Sequence, residues 1–229
     1  MKKLNKEVVI TTSCIILTAV LITVSGIAYD QELFKMLPLY VSLFVMLFQS
    51  KALRIAPLIG SLNSLLYAVV DFSYGLYGAA LSDVLFSFTM QMITFILWTR
   101  RKDGKTTKFR MMKPLHRIIL ILALVCAYIP ALKINMRLGA TLAPIDTYIF
   151  VSSFVTTGLM VFAFCEYYVF SLIGCFASIL LNVLMLKDSP DRLCYLIYTI
   201  YSTVCIIRGV VSAFKIYKRQ SKLKENELI

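Results

Sequence analysis

The side chains in this sequence that could hold a ligand are scattered singly through apolar stretches, and their spacing is helical. Gly60, Ser64, Tyr67, Asp71, Tyr74 and Gly78 advance in steps of four and three, and so do Asp83, Ser87, Gln91, Thr94 and Trp98. Gly174, Ser178 and Asn182 form a third stripe; Tyr195, Tyr198, Ser202, Cys205 and Gly209 form a fourth. Residues at that period share one helix face, so four helices could turn polar faces toward a common path. For Gly60, Ser64, Gly174 and Ser178 the plainer account is close helix approach, since small residues let backbones meet and hydroxyls bond across the seam. Gln91 stands apart: it lies mid-stretch and its amide has donors and an acceptor to satisfy, which marks it as a ligand contact. Asn63, just off the first stripe, joins Tyr67, Thr94 and Asn182 as further polar candidates. Tyr198 and Tyr201 offer flat aromatic faces with a polar tip, suited to stacking on a heteroaromatic ring.

Signals for catalysis are poor. The single histidine, His116, sits beside Arg117 in a basic stretch, and no HExxH, GxSxG, P-loop or dinucleotide fingerprint occurs. The six cysteines are dispersed through apolar sequence without a CxxC pair, so they read as small buried hydrophobes and not as disulfides or metal ligands. The expectation is a protein that is not an enzyme and has no metal, cofactor or ATPase of its own.

The elements that carry these stripes follow from composition. Hydrophobic residues fill 59% of the 229 positions and the mean hydropathy is +0.81, well beyond soluble-domain usage. Apolar runs at 8–29, 34–50, 55–77, 80–98, 118–133, 144–165, 167–187 and 192–214 are candidate membrane spans, the second and fifth being short for a crossing. The +12 net charge would fit nucleic acid, but the distribution of charge points elsewhere. With the amino terminus inside, the inner side receives Lys2, Lys3, Lys6, Lys51, Arg54, the basic run from Arg100 to Arg117, and Lys215, Lys218, Arg219, Lys222 and Lys224. The outer side receives Lys35, Lys133, Arg137, Lys187 and Arg192. That bias sets both termini in the cytoplasm and removes nucleic acid as a partner. Arg208, near the inner end of the last span, is expected to snorkel, and Trp98 to lie in the interfacial aromatic belt. The first 28 residues also have the shape of a secretory signal with Gly26-Ile27-Ala28 at the cleavage point. The stretch from Val8 to Val24 is long enough to span, which favours an uncleaved anchor.

An internal repeat orders the spans. Leu58-Ile59-Gly60 recurs 114 positions later as Leu172-Ile173-Gly174, and Ser64, Leu66 and Val69 then match Ser178, Leu180 and Val183. Trp98-Thr99-Arg100-Arg101 closes the fourth span much as Tyr217-Lys218-Arg219 follows the eighth. The implied fold is an all-α membrane protein with a seven-helix 3+1+3 core of two parallel three-helix repeats plus an extra amino-terminal helix. Its parts are the peripheral helix (1–33), the first repeat (34–98), the basic loop and linker helix (99–143), the second repeat (144–217) and a cytoplasmic tail (218–229). Parallel repeats of this kind are one symmetry class of secondary transporters, with the solute held at the repeat interface.

This layout, with Tyr74-Gly75-Leu76-Tyr77-Gly78 at a hairpin, Gln91 and Trp98-Thr99-Arg100 ending one repeat, Asp146 opening span 6 and Glu166-Tyr167-Tyr168-Val169-Phe170 leading into span 7, resembles the PnuC-type vitamin transporters. The resemblance covers roughly residues 34–220. It implies a fold similar to the SWEET sugar transporters and facilitated diffusion of nicotinamide riboside, thiamine, riboflavin or a deoxynucleoside. It also implies trapping of the solute by a cytoplasmic kinase, and a homotrimer. Nicotinamide riboside members carry paired tryptophans and a following asparagine at the start of span 7; here Tyr167 and Phe170 hold the tryptophan positions and Gly174 stands about where the asparagine belongs. Aromatic stacking survives that change and the amide bonds do not.

The expected site is therefore Asn63, Tyr67, Gln91, Thr94, Tyr167, Phe170, Asn182, Tyr198 and Tyr201 around a small, heteroaromatic solute in the plasma membrane. Asp71 and Asp83 are read as a solvated entrance, while proton coupling through Asp71 or Glu166 is a lesser reading. The competing functions are a sugar or amino-acid carrier on the same scaffold, and a membrane scaffold or sensor whose basic loop binds a partner or anionic lipid.

Overall fold

A computed structural model describes residues 6–73, 80–81, 83–137 and 142–226, without the side chains of 6–8, 71 and 224–226. The Tyr74–Gly78 motif, the Asp71 side chain and the first lysines lie outside the described residues. Eight α-helices are described: α1 Lys6–Ala28, α2 Leu33–Ser50, α3 Ala56–Ser73, α4 Thr89–Arg100, α5 Pro114–Arg137, α6 Ala143–Val161, α7 Glu166–Met185 and α8 Leu193–Asn226. Each coincides with one of the eight apolar runs. α5 is longer than its run, at 24 residues, because polar turns at both ends continue the helix beyond the apolar centre. α4 follows directly on a π-helical stretch, Asp83–Phe88. Between α4 and α5 a small hairpin forms, β1 Lys102–Asp103 and β2 Thr106–Thr107, paired antiparallel with Asp103 opposite Thr106. Gly104 turns it with φ 59, the left-handed backbone that two-residue hairpin turns need.

Six of the helices are long and apolar enough to cross a bilayer. α5 makes the case most directly: it has no buried residue and its mean hydropathy is 2.2. In water such a helix would leave its whole apolar surface hydrated at about 25 cal/mol per Å2, whereas hydrocarbon removes that cost.

Helix packing follows a closed order. α2 packs on α3, α3 on α4, α4 on α6, α6 on α7, α7 on α8, and α8 returns to α2; α5 lies outside against α6, and α1 outside against α8 and α2. The two seams that join residues 34–98 to 144–217 are thus α4–α6 and α8–α2. They exchange when α2, α3 and α4 are mapped onto α6, α7 and α8.

α2 and α6 also end alike. Ala52 and Ala163 have φ 53 and φ 57. Leu53 N–H donates to Phe48 O at 3.0 Å and Ala52 N–H to Gln49 O at 2.8 Å, as Phe164 does to Leu159 O and Ala163 to Met160 O, both at 3.0 Å. These are Schellman closures, in which a left-handed residue lets two late amides reach back to otherwise orphaned carbonyls. Both residues following the turn then bridge to the hairpin segment, Leu53 to Thr106 and Phe164 to Arg110. Ala52 and Ala163 are fully buried, so neither has room for branching. Ala52→Val and Ala163→Val are each expected to destabilise the protein by about 2 kcal/mol or more, from left-handed strain and overpacking; thermal unfolding in detergent measures it, and unchanged melting would remove these turns as structural determinants.

Candidate functional site

The α4–α6 seam is not filled. A cavity of ≈ 330 Å3 lies there, lined by Val45 and Gln49 of α2, Ala56 and Pro57 at the start of α3, Phe86 and Ser87 of the π-helical stretch, Gln91 and Trp98 of α4, and Phe150, Ser153, Phe154, Thr157 and Met160 of α6. The lining is aromatic and aliphatic with a few polar groups, the usual make-up of a small-molecule pocket, and the volume is at the lower end for one. Phe86 and Phe154 meet across the seam with ring centroids 4.7 Å apart. π-Helical turns often occur at functional positions because the wider register re-aims side chains; here two consecutive residues of that stretch, Phe86 and Ser87, reach the cavity.

Gln91 projects into this space under tight control. Its Nε2 donates to Ser64 Oγ at 2.9 Å, and a Cβ built on Gly60 would stand 1.8 Å from its Oε1. Gly60 is therefore needed for the amide to lie flat against α3. A second polar group sits between α2, α3 and α8. Asn63 Nδ2 donates to Ser42 Oγ at 2.8 Å, Tyr67 Oη lies 3.4 Å from the same oxygen, and the Tyr198 hydroxyl also interacts with Ser42. Asn63 is 5% exposed, and its Oδ1 is buried without a hydrogen-bond partner. Leaving a buried acceptor unmatched costs about 1–3 kcal/mol.

At the end of the bundle that carries the hairpin, Trp98 of the cavity lining belongs to a buried aromatic layer. Trp98, Tyr167 and Tyr168 are fully buried. The Tyr167 and Tyr168 rings are 3.9 Å apart, and Trp98 is 6.3 Å from Tyr167. Trp98 Nε1 donates to Met160 O at 2.8 Å, and Tyr168 Oη donates to Gln49 O. The Tyr168 ring occupies the place where Gly209 lacks a Cβ. Behind this layer Glu166 Oε1 accepts from Arg117 Nε, Arg117 Nη2 and Met112 N at 2.8–3.0 Å.

The chain matches the family described as Nicotinamide mononucleotide transporter over residues 32–210. It belongs to that family. A solved structure, the crystal structure of the vitamin B3 transporter PnuC, is similar in fold: TM-score 0.76, 18% identity, covering 96% of this chain and 95% of that one. No curated protein sequence matches the chain. With the apolar helices, these findings make it a multi-pass membrane protein of PnuC type.

In this PnuC-type chain the sequence candidates fall into three places. Gln91 lines the cavity; Asn63, Tyr67 and Tyr198 gather round Ser42. Tyr167 lies in the buried aromatic layer and Phe170 packs against the same cluster, both outside the cavity lining. Thr94, Asn182 and Tyr201 are engaged elsewhere: Thr94 Oγ1 bonds to Met90 O, Asn182 Nδ2 to Ser178 O in its own helix, and Tyr201 Oη to Leu43 O at 3.0 Å across the α8–α2 seam. Glu166, weighed for proton coupling, is held in an ion pair with Arg117. Asp83 accepts from Ser87 Oγ at 3.1 Å. Arg208 Nη1 donates to Thr11 Oγ1 of α1. Sequence reading missed Ser42, Gln49, Ser153 and Thr157. Ser42 and Gln49 are polar residues seven positions apart in α2, and Ser153 and Thr157 stand with Phe150 and Phe154 at helical spacing on one face of α6; that periodic signal is present in the sequence and could have found them.

Gly60→Ala should displace the Gln91 amide and break its bond to Ser64. In a double-mutant cycle on melting in detergent, Gly60→Ala and Gln91→Ala are expected to be non-additive by about 0.5–1 kcal/mol; strict additivity would mean that the glycine does not hold Gln91 in place.

Proposed function

We propose that this protein mediates facilitated diffusion of a small heteroaromatic vitamin or nucleoside, of nicotinamide riboside, thiamine, riboflavin or deoxynucleoside type. The observation that carries the reading is the cavity between the two halves, where the fixed Gln91 amide faces Phe86, Phe150 and Phe154. An aromatic wall supplies stacking that is tolerant of ring identity, and an amide supplies both donor and acceptor for a ring carboxamide, a pyrimidine edge or a sugar hydroxyl. The Asn63, Tyr67 and Tyr198 cluster is a second polar contact, and Tyr167 and Phe170 belong to the aromatic layer behind Trp98, the member of it that lines the cavity. The nicotinamide mononucleotide named for the matched family and the vitamin B3 named for the similar solved structure support a solute of vitamin type.

The arrangement is read as a duplicated 3+1+3 core, α2–α4 and α6–α8 joined by α5, with α1 outside. The matched Schellman ends of α2 and α6 and the exchange of the α4–α6 and α8–α2 seams support it. The halves rock about the cavity to give alternating access. Basic residues at the hairpin end and in the carboxyl-terminal turns of α8 support a plasma-membrane orientation with both termini cytoplasmic. Uptake is then drawn inward by a cytoplasmic kinase that traps the solute, with a homotrimer as the assembly.

Thermal stabilisation of the detergent-purified protein by a panel of vitamins and nucleosides tests the class, since a ligand of the folded state raises its melting temperature with concentration. Silence across the panel, joined to absent uptake in liposomes, would sink it. For an identified ligand, Gln91→Ala is expected to weaken binding about tenfold, the worth of a hydrogen bond or two; unchanged affinity removes Gln91 from the site.

A further inference from the structure

The hairpin end is tied together by more than its aromatic layer. β1–β2 is continuous with α4, yet it bonds to α8. Gln220 of α8 donates from Nε2 to Asp103 Oδ2 at 2.7 Å and to Thr107 O at 3.2 Å, and its Oε1 accepts from Phe109 N–H at 3.0 Å. Arg219 Nη2 pairs with the same Asp103 oxygen at 2.9 Å. The following strand bonds to the turn between α6 and α7, with Arg110 N–H donating to Ala163 O and Cys165 N–H to Arg110 O, both at 2.9 Å. On the other side Arg54 N–H reaches Lys105 O at 3.3 Å. The segment from Lys102 to Arg110 thus spans both halves at one end of the bundle. The Gln220 amide, helped by Arg219, holds the Asp103 carboxyl below its ordinary value, as donors converging on one carboxylate oxygen do.

We infer that this hairpin is a latch: with Gln220 and Arg219 as its catch, it holds the hairpin end of the two halves shut and must release α8 before that end can open. The geometry leaves few alternatives for motion. Separating α4 from α8 at this end pulls Asp103 and Thr107 off Gln220, because the hairpin follows α4 through Arg101, whose N–H is still bonded to Leu97 O. The bonds concerned are polar and water-accessible at their rim, so they can re-form with water and the transition stays reversible. The buried layer beneath, Trp98 on Met160 O and Tyr168 on Gln49 O, then parts in the same movement. The latch rests on the alternating-access reading only for its purpose; its existence is a property of the apo protein and is testable without any solute.

Two native cysteines report on the two ends. Cys165 lies under the hairpin with its thiol on Ala213 O, and Cys194 lies at the far end on Ser25 Oγ; both are fully buried. In single-cysteine backgrounds retaining one or the other, labelling by a small water-soluble maleimide measures how often each end opens. Gln220→Ala is expected to speed labelling of Cys165 about tenfold, the loss of one to two net hydrogen bonds, and to leave Cys194 unchanged or slower. Gln220→Glu, which sets a carboxylate against Asp103, is expected to speed it further. Asp103→Asn, which preserves the hairpin's shape while removing the charge opposite Arg219, gives a smaller acceleration and covers the case in which a Gln220 variant fails to fold. Equal labelling rates for Cys165 in all variants would overturn the latch, and parallel acceleration of Cys194 would reassign the hairpin to general stability. Loss of solute binding with normal latch behaviour would instead count against the transport class alone.

Discussion

Hydrocarbon offers a polar group no partner, and the arrangement of this protein is organised by that constraint. A hydroxyl or amide placed inside the bundle is costly unless it meets another group of the same chain, and among the described residues Asn63 Oδ1 is one of the few that does not. Most do so locally: Thr94, Thr199 and Thr203 turn back onto their own helices. The ones that bond between helices are few, and they set the architecture. Gln91 to Ser64 joins α4 to α3, Asn63 to Ser42 joins α3 to α2, and Tyr201 to Leu43 O joins α8 to α2. Each is a directional tie in a medium where apolar packing alone specifies little, because lipid is as apolar as leucine.

The same constraint explains why glycine matters here at contacts more than at turns. Gly60 and Gly209 have ordinary helical backbones, yet a Cβ at either would meet a polar or aromatic side chain from the next helix, the Gln91 amide in one case and the Tyr168 ring in the other. The missing methyl admits a group whose hydrogen bond then crosses the bundle. Gly60 and Gly209 thus make room for the polar ties of Gln91 and Tyr168.

The two ends of the molecule are built differently. The hairpin end combines buried aromatic rings, main-chain bridges and charged surface contacts, whereas the cavity lies just beyond that layer in the α4–α6 seam. The cavity proposed as the solute site and the hairpin proposed as a latch lie near one another, with Gln49, Trp98 and Met160 both lining the cavity and bonded within the aromatic layer.

Which stretches form apolar helices was determined by the sequence alone, because hydropathy over some twenty positions is a local quantity and needs no partner; six of the described helices are long and apolar enough to cross a bilayer, and α3 and α4, not the second and fifth runs, fall short. All eight apolar runs became helices, and the stripe that singled out Gln91 points it at the cavity, since helical period is also local. Seam assignment was not legible. Tyr201 and Tyr198 lie three positions apart on one face, yet one hydroxyl reaches the Leu43 carbonyl of α2 and the other the Ser42 cluster. Ser42 and Gln49, seven apart in α2, and the α6 stripe Phe150, Ser153, Phe154 and Thr157 do share helix faces, but spacing does not say what those faces meet. Their roles depend on which helix stands opposite, and only the tertiary order, with α4 against α6 and α8 against α2, decides that. The hairpin was read as a basic loop for the same reason: its charges declare a side of the membrane, while the grip of Gln220 on Asp103 joins residues more than a hundred positions apart and exists only once the bundle has closed.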